Sequence, residues 1–176
     1  GVIKNPAIHL NGFPYAAENG LKIYYIQEGK FEWHINQRLY TLYPGDVALV
    51  LPGAEFGNEN SVLEVGCFSW IHIQIEKNTT GELLTGVWSS LSESENHAVS
   101  KILQSDHSPV LQNFNEAGAI LKSIQSELVN QEIGYQTKVN HLLDEILIQV
   151  ARQFTRISNP GRDFPTTFIK LEQELR

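Results

Sequence analysis

The chain has 176 residues, 41% hydrophobic and 19% charged, with 20 Asp and Glu against 13 Lys and Arg for a formal charge of −7. That length and composition support one domain with its own core and exclude a disordered polypeptide. The acidic balance offers no Lys/Arg-rich face for DNA, the single Cys67 excludes an intrachain disulfide or a Cys-based zinc site, and no apolar run nears the ~18 residues of a membrane span. The opening Gly1-Val2-Ile3-Lys4-Asn5-Pro6 lacks the apolar stretch of a signal peptide, so a cytoplasmic location is expected.

The first half reads as β. Residues 21–27 (Leu-Lys-Ile-Tyr-Tyr-Ile-Gln) are rich in β-branched and aromatic side chains and stop at Glu28-Gly29. Residues 31–35 (Phe-Glu-Trp-His-Ile) alternate apolar and polar, the period of a half-buried strand. Asn36-Gln37-Arg38 is a polar turn before a strand at 39–42. Tyr43-Pro44-Gly45-Asp46 is a second turn, in which Pro sets φ and Gly permits φ > 0. An apolar strand at 47–51 ends at Pro52-Gly53, and 62–65 and 68–75 supply two more. Short strands punctuated by Gly and Pro indicate a sandwich or barrel.

The second half changes period. Residues 79–113 are mixed and polar, a surface excursion with short helical turns. Asn115 is the expected N-cap of a helix whose apolar face is Ile120, Leu121, Ile124 and Leu128. Gly134 interrupts the pattern, and Val139, Leu142, Leu143, Ile146, Leu147 and Val150 then form a broad stripe on a second helix. The two make an antiparallel hairpin. Residues 158–161 read as a linker, and 164–176 begin a further helix that the sequence leaves without a neighbour.

The ordered set Gly29, Tyr40-x-Leu42-x-Pro44-Gly45-Asp46-Val47, Pro52-Gly53 and Phe68-x-Trp70-Ile71-His72-Ile73 resembles the N-terminal effector domain of AraC/XylS-family transcription regulators. Residues 164–171 are similar to the entry into that family's helix-turn-helix half. The resemblance implies a mainly β fold with C-terminal α structure. It would be a cupin-like barrel (double-stranded β-helix or jelly roll) over residues 1–113, followed by a helical dimerisation hairpin at 114–157. Residues 158–176 would be a linker and the start of the DNA-reading part, so DNA would be bound only through a domain beyond this chain.

A catalytic cupin holds a metal with a His-x-His pair, a Glu and a later His. Here the matching positions carry Trp33-His34-Ile35, with one His, and Phe56 in place of a ligating His. The six histidines show no ligand spacing, and no nucleophile elbow or phosphate-cradling Gly loop is present. Neither an enzyme nor a metal or other cofactor is expected, and Cys67 reads as a buried thiol. A cupin enzyme with unusual ligands, or a stand-alone carbohydrate-binding module, are the competing readings.

What remains is ligand sensing in a hollow shell lined by rings. A sugar needs flat aromatic faces and a few fixed polar partners. Alternation places Phe68, Trp70, His72 and Gln74 on one face of their strand. The resemblance implies that Phe56, Asn58, Phe68 and Trp70 contact effector. Family members often carry His or Tyr at the first three, so this pocket is expected to be more apolar. Trp33, Tyr25 and His72 complete the ligand-binding candidates, with core packing the competing role for each ring. The stripe Val139, Leu142, Leu143, Ile146, Leu147 and Val150 is broader than one neighbour needs, so a homodimer through it is expected. Its acidic and polar flanks do not suit a membrane surface.

Overall fold

A computed structural model describes residues 2–5, 16–17, 19–58 and 65–159. The strands are β1 (Val2–Asn5), β2 (Ala16–Ala17), β3 (Leu21–Gly29), β4 (Phe31–Ile35), β5 (Arg38–Leu42), β6 (Val47–Val50), β7 (Glu55–Gly57), β8 (Gly66–Ile73), β9 (Glu76–Lys77), β10 (Leu83–Leu84) and β11 (Val110–Leu111). The helices are α1 (Glu93–Leu103), α2 (Asn115–Asn130) and α3 (Tyr135–Ser158). One antiparallel sheet has the order β1-β8-β3-β6-β11, a second β2-β7-β4-β5, and β9 with β10 forms a small hairpin.

The larger sheet is apolar on both faces, and the two faces serve different cores. Tyr24, Ile26, Ala48, Val50 and Phe68 meet Phe31, Trp33, Ile35, Leu42 and Phe56 of the smaller sheet. On the opposite face Leu21, Ile23, Val47, Leu49 and Ile73 pack against side chains of α1, α2 and α3. The order is thus sheet, sheet, helices. The mainly β architecture with C-terminal helices agrees with the expected class and is consistent with a cupin-like fold.

Turn chemistry sets the register. Asn36 and Gln37 both have positive φ (48° and 65°), the two-residue hairpin turn whose twist matches the flanking strands. Gly45 (φ 93°) lets the Pro-Gly-Asp turn approach β3, where its amide donates to the Ile26 carbonyl at 2.9 Å. The buried Asp46 carboxylate accepts from the amides of Tyr43 (2.9 Å) and Asn113 (3.2 Å). In this chain the motif is a staple: it ties β3 and β6 to the entry of α2.

Several expectations are corrected. Residues 93–103 form a full α-helix rather than short turns, opened by a Ser92–Glu95 capping box. The N-cap of α2 is Phe114; Asn115 is helical, and its side chain accepts from the Tyr25 hydroxyl at 3.0 Å. The chain also makes strands at 55–57 and 110–111. Of the strand expected at 62–65, only Val65 is described, and it precedes β8. The segment 160–176, expected to be linker and helix, lies outside the described residues. Among the described residues no helix is long and apolar enough to cross a membrane.

Candidate functional site

The site is built where β3, β6 and β8 end together. Antiparallel register sets Lys22 opposite His72 and Val50, and Tyr24 opposite Trp70 and Ala48. Side chains two apart on a strand share a face, so Tyr24 and Trp70 lie one rung inside Lys22 and His72. A bulge in the β3–β8 pairing falls between Ile26 and Glu28, below these rungs, and leaves the alternation of 68–73 intact.

Inside, the rings form one cluster. Tyr24 stacks on Phe56 (4.9 Å between centroids, 28° between planes) and on Trp70 (6.4 Å, 28°). It meets the edges of Trp33 at 5.3 Å and Phe68 at 5.8 Å. Trp33 in turn packs edge-on against Phe56 and Phe68, at 5.2 and 5.3 Å. Phe31 and Phe68 close the interior at 5.5 Å. This corrects the hollow shell: Trp33 and Phe68 are each only 1% exposed, so at their level the rings fill the space between the sheets.

Open space begins at the end of the sheets. A cleft of about 790 Å³ is lined by Asn19, Gly20, the Pro52-Gly53 turn, His72, Gln74, Ile75, Glu76 and Lys77. His72 Nε2 lies 2.6 Å from the Asn19 carbonyl, which lays the imidazole across the backbone at the cleft wall. Gly20 makes that approach possible: its φ is +95°, and a Cβ there would lie 2.2 Å from His72 Nε2. The lining mixes hydrogen-bond donors, acceptors, a carboxylate and an ammonium on an apolar base.

The candidate residues therefore divide. Trp70, partly buried, bridges the ring cluster and the rung that carries His72, while His72 lines the cleft. Phe56, Phe68 and Trp33 stand behind them in the ring core. Asn58 donates to the Glu32 carbonyl at 3.3 Å, beside Phe31 and Gly66 at the other end of the sheets. Tyr25 lies on the helix-covered face, packed against Gly118 and bonded to Asn115, so it is turned away from the rings. Tyr24, at the centre of the cluster, was missed: in a strand with two apolar faces, periodicity alone does not tell Tyr24 from Tyr25. Gln74 was placed on the His72 face by alternation but not taken as a ligand candidate, and Glu76 and Lys77 were not singled out, because polar residues past a strand end carry no sequence signal.

The helix stripe also divides. Ile146, Leu147 and Val150 are fully buried in this chain's own core and have no surface left for a partner. Val139, Leu142 and Leu143 are only partly buried. Asp144, read as a flanking polar residue, is 5% exposed and accepts from Ser89 Oγ (2.5 Å), Ser90 N (2.8 Å) and Ser90 Oγ (2.7 Å). Cys67 is buried and directs its thiol to Gln27 Oε1 at 2.7 Å. Among the described residues, no three His, Cys, Asp or Glu side chains converge as a metal site.

Two facing antiparallel sheets with a ring core, a polar-lined cleft at one end and helices on the outer face define a small-molecule-binding module. The profile of the AraC-like ligand binding domain matches residues 8–150, and the chain belongs to that family. It is a ligand-binding domain of a regulatory type. A search of the curated proteins gave no match.

Proposed function

We propose that this domain is the sensor of an AraC-type transcription regulator and takes a small carbohydrate at the cleft end of its sheets. The observation that carries this reading is the adjacency of rings to polar groups. Trp70 and Tyr24 lie one rung inside His72, which lines an open cleft that also carries Gln74, Glu76 and Lys77. A sugar presents a CH face to a ring and hydroxyls to such a set. Phe56, Phe68 and Trp33 hold Trp70 and Tyr24 in place from behind. The domain senses without catalysing, in the cytoplasm, and ligand shifts it between two arrangements. Residues 1–113 carry the sensor and 114–157 the helices of a homodimer formed through Val139, Leu142 and Leu143. Residues 158–176 lead to a DNA-reading part.

A thermal-shift screen over mono- and oligosaccharides tests the proposal. A binding sugar at 100 times its Kd raises stability by about 2.7 kcal/mol. Trp70→Ala should weaken that sugar at least about tenfold, as loss of a stacked ring does. A screen in which small acids bind and no sugar does, or a Trp70→Ala variant with unchanged affinity, would refute the carbohydrate assignment.

A further inference from the structure

A groove of about 360 Å³ runs between α1 and the C-terminal half of α3 and shares no lining residue with the cleft at the strand ends. Its floor is aliphatic. Val99 and Ile102 of α1 and Ile148 of α3 are half-buried, and Ala151 of α3 is buried. Its rim carries Arg152 and Arg156, both exposed. Among the described residues no carboxylate lines it, and after Glu145 the helix carries no Asp or Glu up to its end at Ser158. Among the described residues neither guanidinium has an ion-pair partner.

Charge and floor together fit one kind of occupant. The arginines stand four apart on one face of α3, where like charges repel. One anion held between them replaces that repulsion with charge-assisted hydrogen bonds to both. Beneath them, half-buried aliphatic side chains still face water, a cost that a hydrocarbon laid over them removes. The floor has no ring for the CH face of a sugar, so this groove and the cleft differ in chemistry. From Ile148 to Arg156 α3 rises about 12 Å, the length of an extended chain of about eight to ten carbons.

We propose that the α1–α3 groove binds a free medium-chain alkyl carboxylate, with its tail on the Val99–Ile102–Ile148–Ala151 floor and its carboxylate shared by Arg152 and Arg156. The proposal does not depend on which ligand the cleft takes.

Isothermal titration of the whole 176-residue chain with sodium decanoate and sodium octanoate, each below its micelle concentration, tests it. Decanoate should bind saturably and at least about fourfold more tightly than octanoate, the effect of one further fully buried CH₂. Arg152→Gln with Arg156→Gln, both at exposed positions, should weaken decanoate at least about tenfold and leave octanol binding unchanged. Decanoate should shift the methyl resonances of Val99, Ile102 and Ile148. Absence of saturable binding, a double variant that binds decanoate as the native chain does, or equal binding of decyltrimethylammonium would each overturn the proposal. Shifts confined to Ile75 would overturn it by placing the acid in the cleft. Binding to phosphatidylglycerol vesicles without binding to free decanoate would do so by assigning the groove to a membrane surface. Methyl shifts that change on dilution of the protein alone would do so by assigning it to a second copy.

Discussion

At the scale of single residues, buried polar groups tie loops of this protein to its core. Asp144 sits on an otherwise apolar helix face and gathers the 89–90 loop through three hydrogen bonds. Asp144→Ala strands the Ser90 amide and two hydroxyls, a loss of about 2 kcal/mol. A thermal melt should show it as a drop of about 4–8 °C for a chain of this size. Gly118 is a second such position, for a steric reason. A Cβ there would lie 2.4 and 2.5 Å from Tyr25 Cε1 and Cζ, and that ring is tethered through its hydroxyl to Asn115. Gly118→Ala should destabilise by about 1–3 kcal/mol despite the helix propensity of alanine, measured by urea unfolding. Tyr24 and Tyr25 show why residue roles were only partly legible. They are neighbours of the same type on one strand, and the pairing of Tyr24 with Trp70 decides which of them belongs to the ring cluster.

At the scale of elements, local chemistry and packing divide the work differently from strand to strand. β4 was legible because one of its faces meets solvent, so its alternation survives in the sequence. β6 is buried on both sides and reads only as a short apolar run. α1 hides its signal in its cap. Its apolar residues gather near the C-terminal end, but Ser92 accepts from the Glu95 amide while Glu95 reaches back to the Ser92 amide at 2.8 Å. Ser92→Ala should cost about 1 kcal/mol. The same box gives α1 a pH dependence. The Ser92 side chain and then its backbone amide hold the Glu95 carboxyl below its ordinary value of 4.5. A carboxyl lowered by folding stabilises the fold above its unfolded pKa and loses that contribution as pH falls through the folded one. Amide exchange in the first turn of α1 should therefore quicken below pH 4.5 in the native chain. It should be indifferent to pH in Glu95→Gln once intrinsic exchange rates are divided out.

At the scale of the whole molecule, three layers decide what each face can do. The helices cover one side of the larger sheet, the smaller sheet covers the other, and the cleft opens at the strand ends. α3 cannot both fill the core and present its whole stripe. A dimer through it would use Val139, Leu142 and Leu143, which also pack in part on this chain's own core, so the milder Leu142→Ala with Leu143→Ala should shift the sedimenting species toward monomer. A wild-type chain that sediments as a monomer at micromolar concentration would remove that interface. From its sequence alone the protein could be read as a β half followed by a helical half, with its main turns and the motif series of its family. Those features are written in local periodicity, in Pro and Gly, and in the order of motifs along the chain. Only the tertiary structure decided that the ring cluster is packed rather than hollow, that Tyr24 rather than Tyr25 belongs to it, and that half of the helix stripe is consumed within the chain. Each of those depends on which face meets which neighbour, and a strand or helix with apolar residues on both sides carries no local mark of that choice.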